Sequence, residues 1–451
     1  MDNYNFNVPI VDLNVNNFNV KSYRSLLEVI NNASFCSIDF ELSGLGLGQS
    51  SRTATVQERY EDVRHAAQTR SIVSLGVSFF LYNPKQQKEK CLPFDVYVFD
   101  AKTLCNENFI IEPKAAKFLI KHGFDFNQLF QIGLPYSLDE RDELNVTKYV
   151  SQLKPENLSI RLVILQIIRH KLPIVFHNGF CDLVFMYHHF YQDLPEKADV
   201  FQQDVNDLFR GGVYDTKYIS FDAEDLSCSY LSYIFKKIQR NDAINKANKL
   251  KNVVISFPKF DSIEPTINVP CKLGKKFHSL LNGVDISLQP GFAICEKFAQ
   301  SGYCLIGSEC SYSHNVDDIL DAEYYYTHQR AQKRIKLDKN SSFGASVEKS
   351  SQDEKTQNDT NCSFGHRAGF DSFITGYCFA YFLLAREKPS SSHELCDTRE
   401  DFLQANFNIE HMRNRLALVK KTHPFCLMKS NFVKKSTEHL KKSEILFGPI
   451  K

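Results

Sequence analysis

The chain has 451 residues, 43% of them apolar and 24% charged, with a formal net charge of +1. At about 100–200 residues per domain that is two or three domains, and the abundance of Phe and Tyr excludes a disordered chain. The near-neutral total excludes nothing about partners, because charge can cluster locally. The opening MDNYNFNVPIVDLN has no basic-then-apolar leader, and no run approaches ~18 apolar residues, so neither secretion nor a membrane span is expected. Thirteen cysteines, odd in number and scattered, fit a reducing compartment where they serve as core residues or metal ligands.

In chain order, Val20 to Asn31 reads as a helix leading into a buried strand at 33–41 (ASFCSIDFE). A Gly-rich turn and a polar helix, Thr55 to Arg70, follow. SIVSLGVSFFLYN and FDVYVFD are strands joined by an exposed loop. Residues 158–170 are a buried helix, LPIVFHN a strand, CDLVFMYHHFY a helix, and helix-like residues run on to about Phe235. Strands alternating with helices predict a layered α/β domain. The pattern then breaks. Residues 236–290 read as a basic, variable linker whose first part, 236–251, carries six Lys/Arg against one Asp. A compact Cys/His module occupies 291–316, and 317–361 reads as a flexible linker whose later part, 337–361, is poor in apolar residues. An apolar helix resumes at 364–386, RLALV is a late strand, and 436–451 is a basic tail.

Asp39 and Glu41 stand two apart at the end of an apolar strand, so their carboxylates share one face. Held together they repel unless a cation lies between them, and an oxygen-only donor set suits Mg²⁺ or Mn²⁺. Alone, an Asp-x-Glu is most simply two solvated acids. Asp182 follows the strand IVFHN on the first turn of a helix, where dipole stabilisation is the plain alternative. His366 and Asp371 form His-x-x-x-x-Asp at the start of another apolar helix, where a surface or capping role is the alternative for the histidine. Together, in this order along an α/β chain, they point to one site.

SIDFELSG, FHNGFCDLVFMY and HRAGFDSFITG resemble the three acidic motifs of the DEDDh class of 3′→5′ exonucleases, in particular the deadenylases of the CAF1/PARN superfamily. HAAQTRSIVSLGVSFF, FLIKHGFDFNQLF and VYDTKYIS extend the resemblance. It implies a ribonuclease H-like α/β fold with a mixed central sheet, built from 1–235 and 362–435 and interrupted by a small insertion. It also implies two divalent cations, Mg²⁺ or Mn²⁺, held by Asp39, Glu41, Asp182 and Asp371, with Asp39 bridging both. His366 would take the attacking water's proton. Asp215, in VYDTKYIS, matches a family position outside the four and reads as a structural acid behind the ligands; Glu58 and Arg59 receive no role. The function implied is a poly(A)-type 3′→5′ exoribonuclease releasing 5′-AMP from single-stranded, adenosine-tailed RNA, including small nuclear and other non-coding RNAs. A general single-strand 3′ exonuclease and a non-catalytic RNA-binding scaffold are the alternatives. Related deadenylases often dimerise, so the resemblance leaves a homodimer open.

Cys295, Cys304, Cys310 and His314 have the C-x8-C-x5-C-x3-H spacing of the CCCH zinc-finger family. Three thiolates and an imidazole fill a tetrahedral shell with no open position, so the zinc would be structural; unrelated core cysteines are the alternative. Such fingers bind single-stranded RNA by stacking its bases. Phe298, Tyr303 and Tyr312 hold the usual aromatic places, but Ile306 stands where many fingers carry an aromatic, which leaves protein contact as the alternative. KRIKLD, 333–338, is similar to a short nuclear-import signal, and with the finger it favours a nuclear location. The last 41 residues carry ten Lys/Arg against two acids. They and the 236–251 run are expected to hold upstream RNA by phosphate contact.

Overall fold

The computed structural model of the protein describes residues 5–46, 54–86, 88, 90–142, 158–222, 226, 228–265, 267–283, 293–337, 367–389 and 399–448. Among them, nine strands build a central mixed sheet: β1 (Phe6–Leu13), β2 (Phe35–Leu42), β3 (Ile72–Tyr82), β4 (Cys91–Cys105), β5 (Leu134–Tyr136), β6 (Ile174–Phe176), β7 (Val213–Asp215), β8 (Asn252–Ser256) and β9 (Ile267–Cys271). β2, β3 and β4 form an antiparallel meander, and β6 and β7 continue it parallel to β2. This is the ribonuclease H-like arrangement that the motifs imply. The long strand β4 pairs along its other edge with β8, β1 and β5 in turn, all parallel, and β9 closes that side antiparallel to β1.

Side-chain alternation divides the sheet into two faces. Cys36, Ile38, Phe40, Leu75, Val77 and Phe79 join one core with helices Val20–Asn32, Ile160–Arg169 and Phe180–Phe190. Phe35, Phe80, Phe94, Val96 and Val98 join the other, beneath helices Leu231–Ala247 and Ala368–Leu384. Burial on both faces explains why β3 reads as a continuous apolar run instead of an alternating one. Helix Ala368–Leu384 is apolar almost all round, as expected of a helix enclosed by sheet and neighbours. Among the described residues no helix is long and apolar enough to cross a membrane.

The described part of 236–290, residues 236–265 and 267–283, is not a linker. Lys236 to Ala247 belong to helix Leu231–Ala247, and β8 and β9 both join the main sheet. Its period was obscured because its charges pair within the molecule. Arg240 bonds Asp317 and Asp321 at 2.9 and 2.8 Å, Lys236 meets Asp317 at 3.1 Å, and Lys237 meets Glu323 at 2.8 Å. Those acids lie on helix Val316–Leu337, so the first part of 317–361 is helical too, and Lys333 to Leu337 of KRIKLD end that helix. Residues 338–361 lie outside the described residues. The 436–451 tail is also built in: Ser436 caps helix Thr437–Phe447, and the fully buried His439 meets Tyr191 and Asp207. β1 went unread although Val8, Ile10, Val11 and Leu13 are all buried. Its partners β4 and β9 are distant in sequence.

Candidate active site

The end of β2 and the start of helix Ala368–Leu384 bring Asp39, Glu41 and Asp371 together, with carboxylate oxygens all within 4.8 Å of one another. One cross-strand row explains the placement. Asp39 lies opposite Gly76 on β3, Gly76 opposite Asp100 on β4, and Asp100 opposite Asp12 on β1. All four face helix Ala368–Leu384. Gly76 has no side chain, and a Cβ there would overlap the carbonyl of Ala368. The helix therefore starts directly over the sheet, between the acids. Further along, Ser37 Oγ donates to the Ser372 carbonyl at 2.7 Å, and Ser78 and Ser372 hydroxyls meet at 2.8 Å. These small polar residues keep helix and strand close enough for Asp371 to join Asp39 and Glu41.

Burial and then the neighbouring carboxylates push Asp39 and Glu41 well above the usual carboxylate range. Asp371 is the largest charged contributor at both; Asp182, Asp100 and, for Asp39, Glu41 add to it. Such a set is unfavourable to ionise without a cation, and its oxygen-only chemistry fits a hard divalent ion. Asp182 borders the trio on the first turn of helix Phe180–Phe190. Burial holds its carboxyl up to about 7, opposed by backbone hydrogen bonding that includes Phe40 of β2. Four acidic positions thus converge, three as a tight group and one beside it. His366 lies outside the described residues.

Sequence reading missed what seats the helix. Arg367 pairs with Asp12, and its Nε stands 3.1 Å from Asp100. Asp100 also accepts from the Gly369 amide at 3.0 Å and from Ser74 Oγ at 3.1 Å. One guanidinium thus ties the residue beside His366 to β1 and β4. The signal was present as single acids in the strands IVDL and VYVFD, but only strand pairing shows that they meet.

Asp215 is a structural acid, as read. It is fully buried and accepts from the amides of Asn178, Gly179, Lys217 and Ala417 at 2.9–3.2 Å. It thereby fixes the turn before Asp182, in which Asn178 adopts φ 60°, a conformation asparagine tolerates. Glu58 and Arg59 take local tasks: Glu58 completes the capping box of Thr55, and Arg59 donates to the Val419 carbonyl at 2.9 Å.

Cys295, Cys304, Cys310 and His314 also come together, with ligand atoms within 4.8 Å of one another. His314 Nε2 is buried with no hydrogen-bond partner, as an imidazole aimed at a metal would be. Three sulfurs and a nitrogen at this range fit tetrahedral zinc. Phe298 is corrected as a stacking platform. It packs against the core under helix Leu231–Ala247, 5.9 Å from Tyr230 and stacked on His314 at 4.6 Å. Its apolar ring docks the module onto the body, and Cys228 Sγ reaches the Ala299 carbonyl at 3.0 Å. Tyr303 and Tyr312 remain exposed, as do Leu305 and Ile306.

A ribonuclease H-like sheet with a carboxylate cluster at the end of its central strand defines the class: a nuclease fold with a divalent-cation site. A family model described as CAF1 family ribonuclease matches residues 13–157 and 140–379, and the chain belongs to that family. The poly(A)-specific ribonuclease PARN of Xenopus laevis is 26% identical over 175 residues, covering 36% of this chain and 27% of that protein. The pre-piRNA 3′-exonuclease trimmer of Bombyx mori is 22% identical over 298 residues, covering 42% of this chain and 54% of that protein. The chain thus spans about a quarter to a half of the length of these two relatives. The structure of Pop2p from Schizosaccharomyces pombe, bound to Mg²⁺ and Mn²⁺, aligns over 51% of this chain and 82% of its own at 15% identity, with a TM-score of 0.38.

Proposed function

We propose that the protein is a divalent-cation-dependent 3′→5′ exoribonuclease that shortens adenosine-tailed single-stranded RNA. The observation that carries this reading is the convergence of Asp39, Glu41 and Asp371 at the start of one helix, with Asp182 beside them. Cations bound there would neutralise the scissile phosphate and acidify a water molecule. Asp39 and Glu41 hold from the strand side, Asp371 from the helix side, and Asp182 from the turn that Asp215 braces. Arg367 fixes the helix start. At a ring nitrogen, His366 takes the proton of the attacking water. Attack on the last phosphodiester expels the 3′-oxygen of the preceding nucleotide, so the product is a nucleoside 5′-monophosphate and a free 3′ end is required.

Adenosine preference is supported by the relative named a poly(A)-specific ribonuclease. The relative named a pre-piRNA 3′-exonuclease supports a second reading, a 3′ trimmer indifferent to the terminal base. The finer reading includes small nuclear and other non-coding RNAs as substrates, a structural zinc at Cys295, Cys304, Cys310 and His314, and a nuclear location. The test is a time course on 5′-labelled RNA ending in adenosines, beside oligouridine, deoxy and 3′-phosphate copies, with and without Mg²⁺. A single-nucleotide ladder from the open 3′ end, with 5′-AMP released only with the cation, is expected. Internal cuts, or equal decay of the 3′-phosphate copy, overturn the reading; equal rates on oligouridine select the base-indifferent trimmer.

A further inference from the structure

A cavity of about 510 Å³ lies between helix Ala198–Leu208 and the segment after Glu410, lined by Asn206, Arg210, Glu410, Arg413, Asn414 and Arg415. It is remote from the acids. Asn414 bonds both backbone groups of Val213, and Arg413 lies against Gly212, at the start of β7. Register places Val213 level with Ile174 and hence with Cys36, three residues before Asp39 and two strands away. That is about 10 Å along the strands and about 10 Å across them.

Three guanidinium groups in one cavity repel each other, and the described residues hold few counter-charges. Arg210 lies over the Phe447 ring at 3.8 Å and has Asp207 at 3.8 Å. Arg413 donates to the Arg210 carbonyl at 2.6 Å, but its Nε is buried with no hydrogen-bond partner. Neither Arg413 nor Arg415 has a carboxylate partner among the described residues, and Glu410, the one lining acid, is exposed. Planar donors arrayed around a polar cavity match the oxygens of a phosphate. The neighbouring chain suits a strand of nucleic acid. Met428 lines the same cavity, Lys429 follows it, and Phe432 stands 98% exposed three residues further on. Cations interleaved with an exposed aromatic are how single strands are held without sequence preference.

We propose that Arg413 and Arg415 form a phosphate-binding pocket, separate from the catalytic centre, that takes the backbone of single-stranded RNA upstream of its 3′ end. The assignment rests on the RNA reading of the acidic site. It also removes Lys435 and Lys442 from the basic C-terminal residues expected to hold RNA, since Lys435 pairs with Asp207 at 2.9 Å and Lys442 donates to backbone carbonyls.

The test uses the full chain as wild type, Arg415→Gln, Arg413→Gln/Arg415→Gln and the charge-preserving Arg415→Lys. Affinity and hydrolysis are measured on a 30-nucleotide adenosine-tailed RNA and on an adenosine trinucleotide, over a series of salt concentrations. Thermal melts with inorganic phosphate are run alongside. The double variant should bind the long RNA about tenfold more weakly, with a salt slope shallower by about one. Its affinity for the trinucleotide and its kcat should match wild type, and Arg415→Lys, which keeps the charge but not the planar fork, should bind the long RNA between wild type and Arg415→Gln. Phosphate should raise the melting temperature of wild type more than that of Arg415→Gln. Equal long-RNA affinity in all four proteins overturns the proposal. If the phosphate-dependent stabilisation is nevertheless lost in Arg415→Gln, the pocket takes a free phosphate or mononucleotide and not RNA. Equal weakening on both RNAs also overturns it, because the defect would then lie in the acidic site. A wild type that hydrolyses neither RNA removes the exonuclease reading, while the affinities still decide the pocket.

Discussion

Asp39 combines two opposing roles. In the proposed site its ionised carboxylate would hold a cation, yet burial and four neighbouring acids raise its pKa, and a carboxyl with a raised folded pKa opposes folding above its unfolded value. Asp39→Asn should therefore raise the melting temperature of the metal-free protein by a few degrees. It should also abolish stabilisation by Mg²⁺ and reduce RNA hydrolysis by at least about 10³-fold. Melts with and without Mg²⁺, together with rates on labelled RNA, check this; a folded variant that still shortens RNA normally would remove Asp39 from the site. Arg367 makes the complementary case. Arg367→Gln leaves Asp100 buried without its cation, at a cost of about 3 kcal/mol, and loosens the helix start. Its kcat should fall about tenfold or more. The Mg²⁺ concentration for half-maximal rate should not rise, because every carboxylate ligand remains and a local positive charge has gone. A raised Mg²⁺ requirement would instead mean that the loosened helix start carries Asp371 away from the other carboxylates.

At the scale of elements, the site depends on how closely helix Ala368–Leu384 lies on the sheet. Gly76→Ala places a methyl group into the Ala368 carbonyl, which is backbone and cannot rotate away. Overpacking of this kind costs about 1–3 kcal/mol, and here it also lifts Asp371 away from Asp39 and Glu41. Lower thermal stability and a rate reduced at least about tenfold are expected; wild-type values for both would mean that the helix has room to spare. The finger is a separate element in energetic terms. Ala299 and Phe298 give it an apolar foot on the body, and under the proposed zinc reading the metal would supply much of its folding free energy. Cys304→Ser should lower zinc content by one ion per chain and raise amide exchange in 293–314, leaving the main melting transition in place. Zinc analysis and hydrogen exchange decide it, and unchanged zinc would refute the ligand assignment.

The whole molecule also has a pH dependence set by buried histidines remote from the acids. His188, on the last turn of helix Phe180–Phe190, is pushed down to about 4, first by burial and then by Arg141. A group with a lowered folded pKa contributes stability that is complete above its unfolded pKa, near ~6.5, and lost as pH falls toward the folded value. Stability should fall between pH 6.5 and 4 by on the order of 3 kcal/mol from this residue. His188→Gln should flatten that part of the profile, as denaturant titrations at several pH values would show. A parallel profile in the variant would mean that His188 titrates normally in the folded protein.

The amino-acid sequence by itself determined what local chemistry can encode. The strand-end Asp39 and Glu41, the helix-start Asp182 and Asp371, and the spacing of Cys295, Cys304, Cys310 and His314 are patterns within a few residues, and each was legible. The layered α/β order was legible for the same reason, since apolar period and turn residues act locally. Only the tertiary structure decided the rest. Asp12, Asp100 and Arg367 meet because β1 pairs with β4, and Gly76 matters because a helix nearly three hundred residues later lies across it. The run 236–251 looked like free positive charge until Asp317, Asp321 and Glu323 were found to face it. Phe298 looked like an RNA platform until the body beneath it was seen. In each case the missing information was a partner distant in the chain, and residue type and spacing carry no record of such a partner.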